Sequence, residues 1–181
     1  DQRRHNGIRR SQRTTALEVL RRQAVSRNEW KEHHMNINDL IQPSEVYLDV
    51  DLGSKKEVLR FLSDRVSEKC GSQSSACRNA LAAREKLGST AIGAGIAFPH
   101  AQLDGLDRAM AIFVRPARPV PYAASDEAPV DLILMLLTPA GASREHLEGL
   151  STFARALRSD NIVRQLREAR TSDDVIAALA S

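Results

Sequence analysis

The sequence lacks the long apolar segments that would mark a membrane protein. Apolar runs such as Leu132–Leu137 fall far short of the ~20 residues that a spanning helix needs. The arginine-rich first residues are not followed by the apolar core of a secretory signal. The two cysteines, Cys70 and Cys77, form no C-x-x-C pair, so we expect reduced structural thiols in a cytoplasmic protein. We expect no insertion into a membrane.

Complete motifs for nucleotides and metals are also missing. The segment Gly88–Gly93 has the glycine spacing of a phosphate-binding loop but lacks the lysine and hydroxyl residue that should follow it. Gly93 and Gly95 do not continue into a dinucleotide fingerprint. His100 and His146 are two possible metal ligands without a convincing third. We therefore expect no cofactor and no metal.

The positive charge is concentrated at one end of the chain. Residues 1–34 hold nine of the 26 basic residues but only four of the 23 acidic ones, which leaves 17 basic and 19 acidic residues in 35–181. We predict a basic extension over 1–34, flexible or helical across Thr14–Trp30, and one domain over 35–181. Met35 reads as a natural start, so the extension is either a tail or upstream sequence. Only Trp30 could stack on a base there and no binding motif is present, so we expect no nucleic-acid partner.

Hydrophobic patterning over 35–181 predicts an α/β domain, a small mixed sheet with helices on both faces in a three-layer sandwich. The predicted strands are Val46–Leu52, a short strand around Ala91, Ile96–Phe98, Ala109–Val114 and a central Val130–Leu137. The predicted helices are one from a Ser54/Glu57 capping box to Gly71, then Ser75–Leu87, Ser143–Leu157 capped by Ser143, Asn161–Ala169 capped by Asp160, and Ser172–Ala180.

The residues around His100 narrow the chemistry most. Ile96–Phe98 reads as a strand that Pro99 must stop, because proline cannot donate to the ladder. His100 is thereby delivered to the rim of the sheet, where a neutral imidazole can act as a base, a metal ligand or a nucleophile. Three glycines before it, Gly88, Gly93 and Gly95, allow tight turns and close approach to a ligand. A rim histidine bonded only to a loop is the alternative.

A cation and two hydroxyls precede this histidine and suggest phosphate. Arg84 lies near the end of a predicted helix, and its guanidinium could clamp phosphoryl oxygens, with Ser89 or Thr90 as further donors. A surface ion pair of Arg84 with Glu85 or with a neighbouring helix is the alternative.

His146 falls in the first turn of a predicted helix, where the helix dipole favours a neutral ring. A neutral ring there could fix the tautomer of a neighbour or hydrogen-bond to a phosphoryl group. An ordinary exposed histidine is the alternative.

These residues form a recognisable pattern. The string Arg84–His100 reads REKLGSTAIGAGIAFPH, and it is accompanied by Pro129–Leu132 and by Glu145–Leu147. It resembles the signature of the mannitol/fructose-type enzyme IIA domains of the bacterial phosphotransferase system. The nitrogen-regulatory IIA proteins are the most similar group, and the resemblance runs from about Met35 to Ser181.

The resemblance implies a phosphocarrier. In that family the histidine after the proline, here His100, accepts a phosphoryl group from the phosphohistidine of a small carrier protein. Arg84 would stabilise the group and His146 would be the second active-site histidine. The expected partners are that histidine phosphocarrier protein and regulated targets, which in related proteins include potassium-transport and sensor proteins. A sugar-specific IIA component that passes phosphate to a permease, and an interaction module that is no longer phosphorylated, are the alternatives.

Four positions depart from the family pattern. Phe98 stands where Ile, Leu, Val or Met is usual, and Ala101-Gln102 replaces the common Gly-Lys. Ala94 stands where Asn is usual before the second glycine. These changes touch the surroundings of His100, so we expect them to affect the rate of transfer or the choice of carrier without removing the nucleophile.

Overall fold

The computed structural model describes residues 35–71, 73–124 and 126–181, so the predicted extension lies outside the described part of the chain. Six strands are present: β1 (Val46–Val50), β2 (Ala91–Gly93), β3 (Ile96–Ala97), β4 (His100–Leu103), β5 (Met110–Pro116) and β6 (Leu132–Pro139). The helices are α1 (Ile37–Leu40), α2 (Lys55–Cys70), α3 (Ser74–Lys86), α4 (Ser143–Leu157), α5 (Asp160–Glu168) and α6 (Ser172–Leu179), with a 3-10 turn at Pro43–Glu45. In this part of the chain no helix is both long and apolar enough to span a membrane.

The sheet is mixed and is organised around β6. Its order is β1-β5-β6-β3-β2, and β4 also pairs with β6 further along that strand. β6 is antiparallel to β5 and parallel to both β3 and β4. β1 is parallel to β5, and β2 is antiparallel to β3.

Alternate residues of β6 enter two separate hydrophobic cores, because successive side chains of a strand point to opposite faces. Leu132, Leu134 and Leu136 pack with the apolar residues of α1, α4, α5 and α6. Ile133, Met135 and Leu137 pack with those of α2 and α3. All six are at most 1% exposed. The prediction of a mixed sheet between two helical layers is confirmed.

Three predicted helix starts differ in detail. Ser54 caps α2 by accepting from the Glu57 N–H, but the Glu57 carboxylate accepts from Gly53 rather than from Ser54. α5 is capped by Ser159 instead of Asp160, because Ser159 has the extended backbone that a cap requires. α4 follows a turn at Gly141 and has no side-chain cap, so Ser143 is its first helical residue.

The strand that contains Ile96 ends before Pro99, as expected, but pairing with β6 resumes after the proline. Pro99 has no N–H, but its carbonyl accepts from Leu136 N at 3.0 Å. His100 then pairs with Leu136 as the first residue of β4. The proline therefore interrupts one strand, and His100 lies within the sheet at the point where the strand restarts.

Gly93 and Gly95 belong to the hairpin that joins β2 and β3. Ala94 and Gly95 have φ values of 51° and 78°, the left-handed pair that a type I′ turn between β2 and β3 requires. A Cβ on Gly95 would lie 2.6 Å from Asp131 Oδ1, and Arg167 also donates to the Ala94 carbonyl. The close approach that needs glycine is therefore to another part of the protein.

We predict that Ala94→Asn stabilises the protein. Ala94 is exposed and holds a positive φ, which costs an ordinary residue about 1–2 kcal/mol and which asparagine tolerates better. We expect a gain of about 0.5–1 kcal/mol, or about 1–4 °C in Tm by calorimetry. The matched control is Ala83→Asn, an exposed site inside α3, where the poorer helix propensity of asparagine should lower Tm. A fall in Tm for Ala94→Asn would contradict the prediction.

Candidate active site

His100, at the start of β4, and Arg84, near the end of α3, come together in the structure. α3 ends at Lys86, and Arg84 lies in its last turn. The Arg84 Nε–H donates to His100 Nε2 at 2.9 Å, and Arg84 Nη1 donates to the Gly88 carbonyl at 3.0 Å. The hydrogen bond to Gly88, in the turn that follows α3, therefore orients the Arg84 side chain toward the imidazole.

Two hydrogen bonds determine the tautomer of His100. Its Nδ1 lies 2.9 Å from the Phe98 carbonyl oxygen, which can only accept, so the proton is on Nδ1. Its Nε2 faces the guanidinium of Arg84, which can only donate, so Nε2 carries a lone pair. His100 is a neutral imidazole whose Nε2 can act as a nucleophile.

The surroundings keep His100 neutral. Burial lowers the pKa of His100 below its ordinary value, and the positive charge of Arg84 lowers it further, while the bond to the Phe98 carbonyl acts in the opposite direction. The Phe98 ring packs against the imidazole, with centroids 5.7 Å apart, and against Phe153 in the core at 6.1 Å. Phe98, which departs from the family pattern, thus contributes to the burial of the histidine.

A buried carboxylate anchors the turn that carries Arg84. Glu85 pairs with Lys55 Nζ at 2.5 Å, with its own side chain 7% exposed, and accepts from the Thr90 N–H at 3.0 Å. The Thr90 hydroxyl also donates to Glu85, and Thr90 is 3% exposed. The alternative of an Arg84–Glu85 ion pair is thus wrong, and the Thr90 hydroxyl is committed to Glu85 rather than open to phosphate. Ser89 is exposed in the same turn.

His146 reaches the site from the other helical layer. Its ring lies 5.7 Å from the His100 ring, centroid to centroid, at an angle of 51°. Its Nδ1 is 2.9 Å from the hydroxyl of Thr138, in β6. Burial lowers the pKa of His146. His146, which was a candidate from the sequence, therefore lies beside His100 in the structure.

A glycine brings α4 close enough to the sheet for this contact. A Cβ at Gly149 would lie 2.8 Å from Leu136 Cδ2, so the helix could not pack at this distance with a larger residue. His146 precedes Gly149 by three residues and is therefore on the same side of the helix. The three residues His100, Arg84 and His146 are thus held by a strand and by helices from both layers.

Sequence reasoning missed Glu85, Lys55 and Thr138 as parts of this site. Lys55 begins α2 and Glu85 lies in the last turn of α3, so the two are at the far ends of this pair of helices, and Thr138 lies near the end of an otherwise apolar strand. Only the hydroxyl at the end of Leu132–Leu137 was a visible signal. Within the described ranges, no group of three residues has the arrangement of a metal site.

The fold and this cluster define a three-layer α/β protein with a histidine, an arginine and a second histidine beside an interrupted strand. Residues 39–181 match the family described as phosphoenolpyruvate-dependent sugar phosphotransferase system, EIIA 2, and the chain belongs to that family.

Its relatives include nitrogen regulatory proteins. One from Bradyrhizobium diazoefficiens is 38% identical over 146 residues, which are 81% of this chain and 95% of that protein. The crystal structure of the nitrogen regulatory protein IIA-Ntr from Neisseria meningitidis has a TM-score of 0.75 at 35% identity, over 79% of this chain and 98% of that one. The mannitol IIA structure from Escherichia coli shares the fold, with a TM-score of 0.63 at 22% identity, over 77% of this chain and 98% of that one.

We predict that Arg84→Ala raises the pKa of His100 toward the ordinary value. The substitution removes a positive charge and a donor to Nε2, both of which oppose protonation. The His100 C2 proton, followed by NMR against pH, should titrate at a higher pH than in the parent protein. Lys86→Ala, which removes a cation from the same helical turn, should leave the titration unchanged.

The lowered pKa of His100 also makes the free energy of unfolding depend on pH. A His100 pKa lower in the folded than in the unfolded chain contributes stability that is present above about pH 6.5 and is lost as the pH falls through the folded pKa. A His100 pKa that is unchanged or lower in Arg84→Ala would contradict the assignment of Arg84.

Proposed function

We propose that this protein is a phosphocarrier of the nitrogen-regulatory type, in which His100 accepts a phosphoryl group from the phosphohistidine of a carrier protein. The phosphorylated and unphosphorylated forms then signal through contacts with other proteins. The observation that carries the proposal is the unprotonated Nε2 of His100 held 2.9 Å from Arg84 Nε. A nucleophilic nitrogen beside a guanidinium that can bind phosphoryl oxygens suits phosphoryl transfer.

The transfer needs no proton to change place. The bond between phosphorus and the donor nitrogen breaks, and its electron pair stays on the donor imidazole. The lone pair of His100 Nε2 forms the new bond to phosphorus, while the proton stays on Nδ1 and remains hydrogen-bonded to the Phe98 carbonyl. Catalysis is then mainly positioning and charge stabilisation, because the phosphoryl group itself is transferred through a loose transition state.

Arg84 has to move during this step. Its Nε–H occupies the lone pair that attacks phosphorus, so the guanidinium must exchange Nε2 for the phosphoryl oxygens. Among the described residues Nη2 of Arg84 has no hydrogen-bond partner and can bind the first oxygen. Ser89, exposed in the next turn, is a second donor.

The rim of the site supports a protein as the donor. Leu87 is 86% exposed beside the Arg84 turn, and Leu147 is 66% exposed next to His146. Exposed apolar side chains around a polar site are typical of surfaces that bind proteins. A structure of mannitol IIA in complex with phosphorylated mannitol IIB exists for a relative with this fold.

The choice between regulation and sugar transport rests on the relatives. The nitrogen regulatory protein at 38% identity favours a regulator, and potassium-transport or sensor proteins are the targets that we propose. A fructose-specific EIIA component from Haloferax volcanii, at 31% identity over 155 residues, favours transfer to a permease component as the second candidate. Incubation of the phosphorylated protein with IIB domains separates the two, because only a sugar component should pass the group on.

We predict that His100 is the phosphorylated residue. Incubation with phosphoenolpyruvate, enzyme I and the histidine phosphocarrier should give one acid-labile, base-stable phosphoryl group on His100, located by mass spectrometry. His100→Ala should take no label and keep its Tm within a few degrees. The control is His34→Ala, which precedes the family-matched segment and should label fully. Undiminished labelling of His100→Ala would refute the assignment, and an unlabelled parent protein would favour the interaction module.

We predict that Arg84 stabilises the transferred group rather than the fold. Arg84→Ala should lose about 2–4 kcal/mol of transition-state stabilisation, as when one preorganised donor is removed, with Tm within a few degrees of the parent. Rapid-quench measurement of kcat/KM for the phosphocarrier gives the loss. Lys86→Ala, in the same helical turn, should transfer at close to the parental rate. Near-normal transfer with a large fall in Tm would give Arg84 a structural role instead.

A further inference from the structure

Thr138 is a buried hydroxyl at the end of an apolar strand, and its partner is in the candidate site. The residue is 0% exposed, and its Oγ1 lies 2.9 Å from His146 Nδ1. The other two buried serine and threonine hydroxyls of the described residues are bonded away from the histidines, Ser63 to the Leu59 carbonyl and Thr90 to Glu85. Among the described residues Thr138 Oγ1 has no other hydrogen-bond partner.

The direction of this hydrogen bond follows from the cost of an unpaired donor. If the hydroxyl accepted from Nδ1–H, its own proton would be buried with no acceptor, which is the more costly deficit. If the hydroxyl donates to Nδ1, its proton is satisfied and only a lone pair is left over, which buried oxygens tolerate better. The hydroxyl therefore donates, Nδ1 of His146 accepts, and the proton of the neutral ring is on Nε2.

The two histidines then have opposite tautomers. The Phe98 carbonyl holds the proton of His100 on Nδ1 and leaves a lone pair on Nε2. Because the Thr138 hydroxyl donates to Nδ1 of His146, the ring proton of His146 is on Nε2, the nitrogen that is not bonded to Thr138. We propose that Thr138 is a positioning residue that fixes His146 as a hydrogen-bond donor to the phosphoryl group on His100.

This inference rests on the proposed function and specifies how His146 serves it. During transfer His146 keeps its proton and donates a hydrogen bond to a phosphoryl oxygen, so the balance of bonds and protons is unchanged. With the opposite tautomer, the lone pair of His146 Nε2 would face a negatively charged group and repel it. The hydroxyl thus determines whether His146 helps or hinders the step.

The test compares variants that remove or keep this one hydroxyl. Thr138→Val keeps the shape of the side chain but cannot donate, and Thr138→Ser keeps a donor. Ser63→Ala removes a buried hydroxyl away from the site and serves as the matched control. Long-range ¹H–¹⁵N NMR correlation reads the tautomer of His146 in each protein without any phosphorylation, and rapid-quench labelling from the phosphocarrier gives kcat and KM.

We expect the parent protein and Thr138→Ser to carry the His146 proton on Nε2, and Thr138→Val to populate both tautomers. Thr138→Val should lower kcat about 10-fold, the low end of the loss seen when the orienting partner of a functional histidine is removed. Its KM should be unchanged, because buried Thr138 cannot touch the carrier. In a His146→Ala background, Thr138→Val should have no further effect on kcat. Ser63→Ala should change neither the tautomer nor kcat.

Two results would overturn the proposal: a His146 proton on Nδ1 in the parent protein, or an equal loss from Thr138→Val with and without His146. The failure of the proposed function would look different. In that case the parent protein would take no phosphoryl label, while the NMR measurement would still decide whether Thr138 fixes the tautomer of His146.

Discussion

The parallel pairing of β4 with β6 determines where the chemistry of this protein lies. Pro99 breaks the hydrogen-bond ladder, but its carbonyl accepts from Leu136 N, and the chain rejoins β6 at His100. The same break leaves the Phe98 carbonyl free to hold the Nδ1 proton of His100. An uninterrupted strand would use that carbonyl in the ladder, and the imidazole would lose the bond that exposes its Nε2 lone pair.

The site is assembled from both helical layers. From one layer, Glu85 and Lys55 hold the end of α3 so that Arg84 faces His100. From the other, the missing side chain of Gly149 lets α4 approach the sheet and carry His146 to the imidazole. Burial and the nearby guanidinium both lower the pKa of His100. Each histidine is therefore kept neutral with one ring nitrogen bonded to the sheet.

Much of the architecture could be predicted from the sequence because its periodicity is strong. The apolar run of β6 indicated a strand covered on both faces, and the string from Arg84 to His100 indicated the family. Local signals were weaker where two residues compete for one role, as at the start of α5, where Ser159 and not Asp160 is the cap. The strand end before Pro99 was predicted correctly, but the new strand that begins at His100 was missed, because its pairing partner β6 lies far along the chain.

The sequence by itself determined the three-layer class and the central strand. It also brought forward His100, Arg84 and His146 as candidate site residues. Each of these conclusions depends on patterns within short segments of the chain. Only the tertiary structure decided what each side chain bonds. Thr90 donates to Glu85, Glu85 pairs with Lys55, and the Thr138 hydroxyl meets His146. These contacts join residues of different elements, and a hydrogen bond depends on distances and directions that folding sets. The tautomer of His100 likewise follows from its hydrogen bonds to Phe98 and Arg84, of which the bond to Arg84 joins two different elements.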